Sequence, residues 1–225
     1  MLISLHLPKT AGSSFLRALE AIFGKDLLQD YSDMSNIQQY LSGNISAHEV
    51  CDCAKVQPDW IHRQCIHGHF LPAKYLAARD KCSMTFVTWL RDPVERLMSH
   101  YHYFKRSYDP KTAGPLFRKV VEEDWTLKRF CFSEEYRNLY AKYLWNFPCE
   151  SFDFIGLTEF YEDDLRYLSE RFLNVKLDAC KLNCAIDGET GRYEVDAGFR
   201  REIEEFHSED MALYKRVLWV REQRA

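Results

Sequence analysis

At 225 residues the chain has room for one domain of ordinary size with one sizeable hydrophobic core, and we expect a single domain over residues 1–225. Apolar residues make up 46% and charged residues 28% of the sequence, a balance that excludes intrinsic disorder. The formal net charge of −4 argues against a general nucleic-acid-binding protein, although a local basic pocket remains compatible with it.

The N-terminal segment MLISLHLPKT contains an apolar run that is too short to cross a membrane, and no basic residue precedes it. We therefore expect neither a signal peptide nor a membrane-spanning helix. The eight cysteines are scattered, and several lie in apolar runs, so we predict free thiols rather than a disulfide framework. Both observations favour a cytoplasmic location, with a trimmed luminal fragment as the alternative.

The first unit of the chain reads as strand, loop and helix. The apolar run at 2–7 predicts a strand, and apolar residues spaced three and four apart from Ser13 onward predict a helix that ends at Gly24. A loop between a buried strand and a helix directs several backbone N–H groups toward one point, together with the positive end of the helix dipole. Such a point binds anions.

The loop sequence PKTAGSS (8–14) supplies further groups that suit an anion. Gly12 allows close approach of the backbone, Ser13 and Ser14 offer hydroxyl donors, and Lys9 offers a mobile positive charge. A nucleotide-binding P-loop places Gly-Lys-Ser/Thr at the mouth of the helix, whereas here the lysine precedes the glycine. The alternative is a polar turn that only caps the helix.

A second strand followed by a helix lies at CSMTFVTWLRDPVERLMSHYHYF. The β-branched and aromatic run Met84–Leu90 predicts the strand. Asp92 suits the N-cap, Pro93 suits the first helical position, and Glu95 stands at the spacing of a capping box. Arg91 therefore lies where the strand ends.

This second unit offers a second anion site. Ser99 follows Arg91 by eight residues, about two helical turns, and the planar guanidinium of Arg91 suits bidentate binding of a phosphate. An ion pair of Arg91 with Asp92 or Glu95 is the alternative. We interpret Arg96 as a solvated residue or one that pairs with a neighbouring helix.

A third strand is predicted at 152–159, followed by an amphipathic helix, and residues 113–147 read as helices. Alternating strands and helices predict an α/β fold with a central parallel sheet flanked by helices, in which ligands bind at the carboxyl ends of the strands. Residues 176–198 predict a long loop that could act as a lid, and 199–221 predict a helical tail.

Three motifs resemble those of one enzyme family. PKTAGSSF is similar to the 5′-phosphosulfate loop of sulfotransferases, and RDPVERLMSHYHYF resembles their 3′-phosphate motif. IHGHF (66–70) looks like the His-Gly-His segment of the uronyl 2-O-sulfotransferases of heparan and chondroitin sulfate. The resemblance implies a single sulfotransferase domain with a P-loop-like three-layer fold, which uses 3′-phosphoadenosine 5′-phosphosulfate (PAPS) and requires no metal.

The resemblance also implies roles for residues at the motif positions. Arg91 and Ser99 would bind the 3′-phosphate, and Arg192, in a loose match to a late basic loop, would also face it. Lys9 would stabilise the leaving oxygen. The residues of the first motif that would hold the 5′-phosphosulfate are Pro8, Lys9, Thr10, Ala11, Gly12, Ser13 and Ser14.

A general base must accept the proton of the acceptor hydroxyl. His69 is the first choice and His67 the second, because histidine titrates near neutral pH and alternate residues of an extended segment point the same way. The carboxylates Glu49, Asp92 and Glu159 remain alternatives.

We expect the acceptor to be a carbohydrate or glycolipid. The segment YHYFKRSYD (101–109) mixes aromatic residues with Lys105 and Arg106, which favours contact with sugars or acidic chains, unless it is half core and half solvated surface. Two other functions stay open. One is a kinase of the P-loop type, and the other is a saccharide-binding module without catalysis on the same fold.

Overall fold

The computed structural model describes residues 1–53, 60–76, 79–173 and 193–224. In these ranges five strands form one sheet in the order β2-β3-β1-β4-β5, and each neighbouring pair is parallel. The strands are β1 (Leu2–Leu5), β2 (Leu27–Asp30), β3 (Cys65–Gly68), β4 (Thr85–Leu90) and β5 (Phe154–Leu157).

Helices connect the strands and cover both faces of the sheet. None of the described helices is long and apolar enough to cross a membrane. In chain order they are α1 (Gly12–Phe23), α2 (Met34–Leu41), α3 (Ala47–Cys53), α4 (Ala73–Leu76), α5 (Pro93–Arg106), α6 (Pro115–Glu122), α7 (Leu127–Cys131), α8 (Leu139–Tyr143), α9 (Tyr161–Phe172), α10 (Ala197–Phe206) and α11 (Ser208–Glu222).

The core lies on both faces of the sheet, as a three-layer α/β fold requires. On one face, strand residues such as Val87 and Trp89 pack against apolar residues of α1 and α9. On the other face, residues such as Ile3 and Phe86 pack against α2, α8 and α11. The predicted fold class is therefore confirmed, including the buried strand, loop and helix of a P-loop-like unit at β1 and α1.

The register of the sheet places three loops side by side. Leu5, at the end of β1, pairs with Gly68 of β3 on one side and with Thr88 of β4 on the other. The loop that begins after β1 therefore leaves the sheet between His69, which follows β3, and Arg91, which follows β4. Parallel strands end at the same edge of a sheet, so these segments share one surface.

The strands predicted from the apolar runs at 2–7, 84–90 and 152–159 are confirmed as β1, β4 and β5. No sequence pattern predicted β2 or β3. Each of these strands has four residues, and polar side chains interrupt its apolar pattern. Their partners in the sheet, rather than their own sequence, make them strands.

Of the two capping features predicted for the start of α5, the N-cap is confirmed and the capping box is not. Asp92 caps the helix, since its carboxylate accepts hydrogen bonds from the N–H groups of Val94 and Glu95, both at 3.0 Å. The capping box with Glu95 is wrong, because the Asp92 N–H donates to Glu159 at 2.7 Å instead. The Glu95 carboxylate accepts from the backbone N–H of Tyr193 at 3.1 Å.

Most of the predicted loop at 176–198 lies outside the described residues. The predicted helical tail is confirmed as two helices, α10 and α11, which meet at His207. The ring of His207 bonds the carbonyl of Cys131 through Nε2, at 2.7 Å, and accepts the Asn138 N–H through Nδ1, at 3.2 Å. The junction of the two tail helices is thereby tied to the segment between α7 and α8.

A buried ionic cluster holds the carboxyl end of β2. The Lys74 ammonium lies 2.6 Å from Asp30 and 2.8 Å from Asp33, and the Tyr75 hydroxyl donates to Asp30 at 2.6 Å. All three charged side chains are nearly inaccessible to solvent. The cluster fixes the turn that carries Tyr31, whose hydroxyl is hydrogen-bonded to His6 at 3.1 Å.

Replacing Lys74 with Met should destabilise the protein by about 3–5 kcal/mol, because it leaves two buried carboxylates without their cation. Urea unfolding of Lys74→Met measures this loss. Lys81→Met removes an exposed lysine and is the matched control, for which we expect a change within about 0.5 kcal/mol. A loss in Lys74→Met no larger than in the control would contradict a role for this cluster.

Candidate active site

A cavity of about 480 Å³ lies at the carboxyl ends of β1, β3 and β4. Residues from all three predicted motifs line it, which brings together segments far apart in the sequence. The predicted site residues in its lining are Pro8, Lys9, Ala11, Gly12, Ser13, Ser14, His69, Arg91 and Ser99.

The loop after β1 is strained and leaves the first turn of α1 open. Lys9 and Ala11 adopt left-handed backbone conformations, with φ of 65° and 63°. Such conformations cost non-glycine residues roughly 1–2 kcal/mol and are concentrated at ligand-binding sites. Ala11 is the N-cap residue of α1 and supplies no side-chain cap, so the N–H groups of the first turn remain suited to an anion.

Lys9 lies against the helix that carries the second motif. Its ammonium is 4.4 Å from the centre of the Tyr103 ring, within the range of a cation–π contact. Tyr103 is about a third exposed and also lines the cavity. The contact holds the positive charge of the loop close to α5.

The backbone of Arg91 is fixed by a tyrosine from α8. The Tyr140 hydroxyl accepts the Arg91 N–H at 3.1 Å and donates to the Arg91 carbonyl at 2.7 Å. Asp92 and Glu95, the two carboxylates considered as partners of Arg91, both lie close to Arg200, which is 2.5 Å from Asp92 and 3.7 Å from Glu95. The Arg91 side chain is buried and lines the cavity, as Ser99 does.

Three imidazole rings stack at the base of the cavity. The His6 ring lies 4.2 Å from the His69 ring and 5.0 Å from the His67 ring, centre to centre, and its plane makes angles of 23° and 24° with theirs. His6 and His69 line the cavity, whereas His67 does not. His67 is buried, and its Nδ1 is hydrogen-bonded to the Ser4 hydroxyl at 2.8 Å.

The hydrogen bonds of His69 define its tautomer. Its Nδ1 bonds the carbonyl oxygen of His6, which can only accept, so Nδ1 carries the proton and Nε2 holds the lone pair. Burial lowers the pKa of His69 to about 4, against a smaller opposing effect of this hydrogen bond. His69 is therefore neutral at pH 7, with Nε2 able to accept a proton.

The other two histidines are also neutral at pH 7. Burial, reinforced by His69, lowers the pKa of His67 to about 3. Burial, followed by the charges of His69, His67 and Lys9, holds the pKa of His6 well below its usual value. Protonation of one ring would further disfavour protonation of the rings stacked on it.

The structure gives Gly12 a role besides the predicted one. A methyl group at this position would come within 1.9 Å of the His6 ring. The missing side chain therefore leaves room for His6 to pack against the start of α1. Close approach of the backbone to an anion, the predicted reason for a glycine here, stays a prediction.

Thr10 and His67 are predicted site residues that do not line the cavity. The Thr10 side chain is buried, and its hydroxyl donates to the Leu7 carbonyl at 2.9 Å, which shapes the loop. None of the three carboxylates considered as bases lines the cavity either. Arg192 lies outside the described residues.

The interpretation of Arg96 as a solvated residue is wrong. Its side chain is fully buried, and its guanidinium lies 5.6 Å from the Tyr140 ring. No protein group among the described residues accepts a hydrogen bond from its guanidinium nitrogens. Burial raises the pKa of the nearby Asp210 to about 6, and the charge of Arg96 acts against that rise. Helices α8 and α11 cover this face of α5, which the helix pattern alone did not indicate.

Several lining residues were not predicted. His6 lies two residues before the first motif, and its place directly after β1 was the available signal. Thr158 follows β5 and donates to the Leu90 carbonyl at 2.9 Å. Gln38, from α2, belongs to a segment that no motif marked.

Neither a protein-family model nor a curated protein matches the chain. Among solved structures, the chain is similar to a sulfotransferase from Alicyclobacillus acidocaldarius, with a TM-score of 0.46 and 15% sequence identity. The match covers 94% of this chain and 92% of that chain.

The lowered pKa of His67 predicts how stability depends on pH. Between its folded value of about 3 and the usual 6.5, the unfolded chain binds a proton that the folded chain excludes. This contribution to stability is therefore fully present above pH 6.5 and is lost as the pH falls toward 3. Urea unfolding at pH 7.5, 6 and 5 measures the slope, which should be smaller in His67→Asn than in the wild type.

The exposed residue His62 supplies the control for this slope. His62→Asn should retain the pH dependence of the wild type. Equal slopes in His67→Asn and the wild type would show that His67 is not held neutral by burial.

Proposed function

We propose that the chain transfers a sulfuryl group from PAPS to a hydroxyl group of a carbohydrate or glycolipid acceptor. One observation carries the proposal, namely the convergence on one cavity of the loop after β1, of His69 after β3, and of Arg91 and Ser99 after β4. A donor with anionic groups at both ends needs two anion-binding sites in one cavity. A cytoplasmic location and a single domain over 1–225 remain part of the proposal.

The residues present fit the donor. The uncapped start of α1 and the hydroxyls of Ser13 and Ser14 would hold the 5′-phosphosulfate. Arg91 and Ser99 would hold the 3′-phosphate, for which a guanidinium is well suited. PAPS, when bound, supplies the sulfuryl group on a phosphate leaving group.

The side chains of this chain would then have separate roles. The Lys9 ammonium neutralises negative charge on the leaving phosphate oxygen, as cationic groups do in phosphoryl transfer. His69 accepts the proton of the acceptor hydroxyl at Nε2, while the acceptor oxygen forms its bond to sulfur and the bond from sulfur to the leaving oxygen breaks. No metal ion is needed for these steps.

The low pKa of His69 suits the role of general base only in part. A neutral ring at pH 7 can accept a proton, but a pKa of about 4 makes it a weak base. Negative charge bound beside the stack favours the protonated form of a histidine and raises its pKa toward neutral pH. Donor binding would therefore strengthen the base at the point in the reaction where it is needed.

Donor binding tests the proposal directly. Calorimetric titration with 3′,5′-ADP, the desulfated product, should show tighter binding than 5′-AMP or ATP without magnesium. Arg91→Ala should weaken 3′,5′-ADP binding about tenfold or more, because a charge-assisted contact with the 3′-phosphate is lost. Arg201→Ala, an exposed residue of α10, is the control and should bind as the wild type does.

Preference for ATP with magnesium would favour the kinase. Binding of a saccharide without any nucleotide would favour the binding module. Either result, or unchanged 3′,5′-ADP affinity in Arg91→Ala, would contradict the donor assignment.

Transfer of labelled sulfate from PAPS tests the base. His69→Gln should bind 3′,5′-ADP normally and slow transfer by about 10²- to 10⁴-fold. His62→Gln, on the surface, should transfer at the wild-type rate. If His67→Gln loses transfer while His69→Gln retains it, the base is His67 and the assignment of His69 fails.

A further inference from the structure

The cavity extends beyond the predicted donor residues along one face of α5. Ser99, Tyr103 and Ser107 line it at intervals of four residues, together with the neighbouring His100 and Phe104. At 1.5 Å per residue, Ser99 and Ser107 are about 12 Å apart along the helix. Ser99 belongs to the predicted 3′-phosphate motif, so the part of the cavity near Ser107 is available for another molecule.

This second part of the cavity, which we call the acceptor end, is formed by α2, the C-terminal turns of α5 and the start of α6. Its polar side chains are uncharged, and its other side chains are aromatic or aliphatic. The described residues that line it are Met34, Gln38, Leu41, Tyr103, Phe104, Ser107, Thr112, Gly114, Leu116 and Phe117.

The described part of the cavity lining carries formal charge at two residues, Lys9 and Arg91, which both belong to the donor motifs. The lining histidines are neutral at pH 7, since burial lowers the pKa of His6, His69 and His100. No aspartate or glutamate of the described chain lines it. Among the described residues, the acceptor end has no charged side chain in its own lining, and the Lys9 ammonium reaches it only at Tyr103.

The basic residues nearest in sequence do not line the acceptor end. In the segment 101–109, Tyr103, Phe104 and Ser107 line the cavity, whereas Lys105 and Arg106 do not. The Lys105 ammonium lies 2.5 Å from Asp124. The expected contact of this segment with sugars is compatible with the structure, but its two cations are not part of the cavity.

The shape of the acceptor end suits a ring with hydroxyl groups. Phe104 and Phe117 stack with ring centres 4.0 Å apart, and the Tyr103 ring lies 5.9 Å from Phe117. These rings offer apolar faces to the C–H groups of a sugar or to an aglycone. The Gln38 amide and the hydroxyls of Ser107 and Thr112 can hydrogen-bond to sugar hydroxyls.

We propose that the acceptor end binds an uncharged glycoside with an apolar aglycone and rejects sugars that carry a carboxylate or a sulfate. The proposed function assigns the nearest cation, Lys9, to the donor. A carboxylate that entered would therefore lose its hydration without a counter-charge that the donor does not already engage, which is unfavourable. The inference rests on the proposed function. It differs from what the resemblance to uronyl sulfotransferases implies, because the acceptors of that family are anionic.

The test uses pairs of glycosides that differ only in charge. p-Nitrophenyl β-glucoside and p-nitrophenyl β-galactoside are each compared with the matching uronide, in which a carboxylate replaces the hydroxymethyl group. Binding is measured by calorimetry with and without 3′,5′-ADP, and transfer is measured with labelled PAPS. The neutral member of at least one pair should bind and react about tenfold or more better than its uronide.

A charge introduced into the acceptor end should reduce this preference. Gln38→Lys places an ammonium group in the lining, and we expect the ratio of neutral to uronide affinity to fall about tenfold. Gln39→Lys adds the same charge at the next residue of α2, which is exposed and lies outside the lining, and should leave the ratio unchanged. Normal 3′,5′-ADP binding by both variants shows that each is folded.

The outcomes separate this inference from the proposed function. If 3′,5′-ADP binds but the uronides bind better, or if no neutral glycoside binds, the inference is wrong and the donor assignment stands. If 3′,5′-ADP does not bind, the proposed function fails, and the glycoside titrations without nucleotide still decide whether the acceptor end prefers neutral sugars. A preference shifted equally by both lysine variants would also overturn the inference.

Discussion

Parallel pairing of β1 with β3 on one side and β4 on the other is the constraint on which the site depends. Leu5 is level with Gly68 and with Thr88, so the chain leaves all three strands at the same edge of the sheet. A strand of another length or register would separate the histidines from the loop and from Arg91. The cavity is a consequence of this alignment more than of any single motif.

Burial then determines the chemistry of the aligned residues. The rings of His6, His67 and His69 stack and are held neutral because the protein around them disfavours a charged form. The permanent cations Lys9 and Arg91 stand on the loops after β1 and β4. The site therefore combines fixed positive charge, which the proposed anionic donor requires, with neutral imidazoles that can accept a proton.

Support for the site comes from elements far away in the sequence. Tyr140 of α8 fixes the Arg91 backbone, and Arg200 of α10 lies against the carboxylates of Asp92 and Glu95. The Lys74 cluster holds the turn that brings Tyr31 to His6. These contacts are made by side chains that local sequence patterns treat as ordinary helix residues, so only the folded chain shows what they hold in place.

The fold class, the strands β1, β4 and β5, and the place of the two motifs at strand ends followed from the sequence, because apolar runs, caps and motif spacing are local signals. Tertiary structure decided the rest. The strands β2 and β3 depend on pairing with their neighbours, the burial of Arg96 depends on α8 and α11, and the place of His6 depends on the space that Gly12 leaves. Whether a polar residue faces solvent, a cavity or the core is a property of its surroundings, which no single stretch of sequence contains.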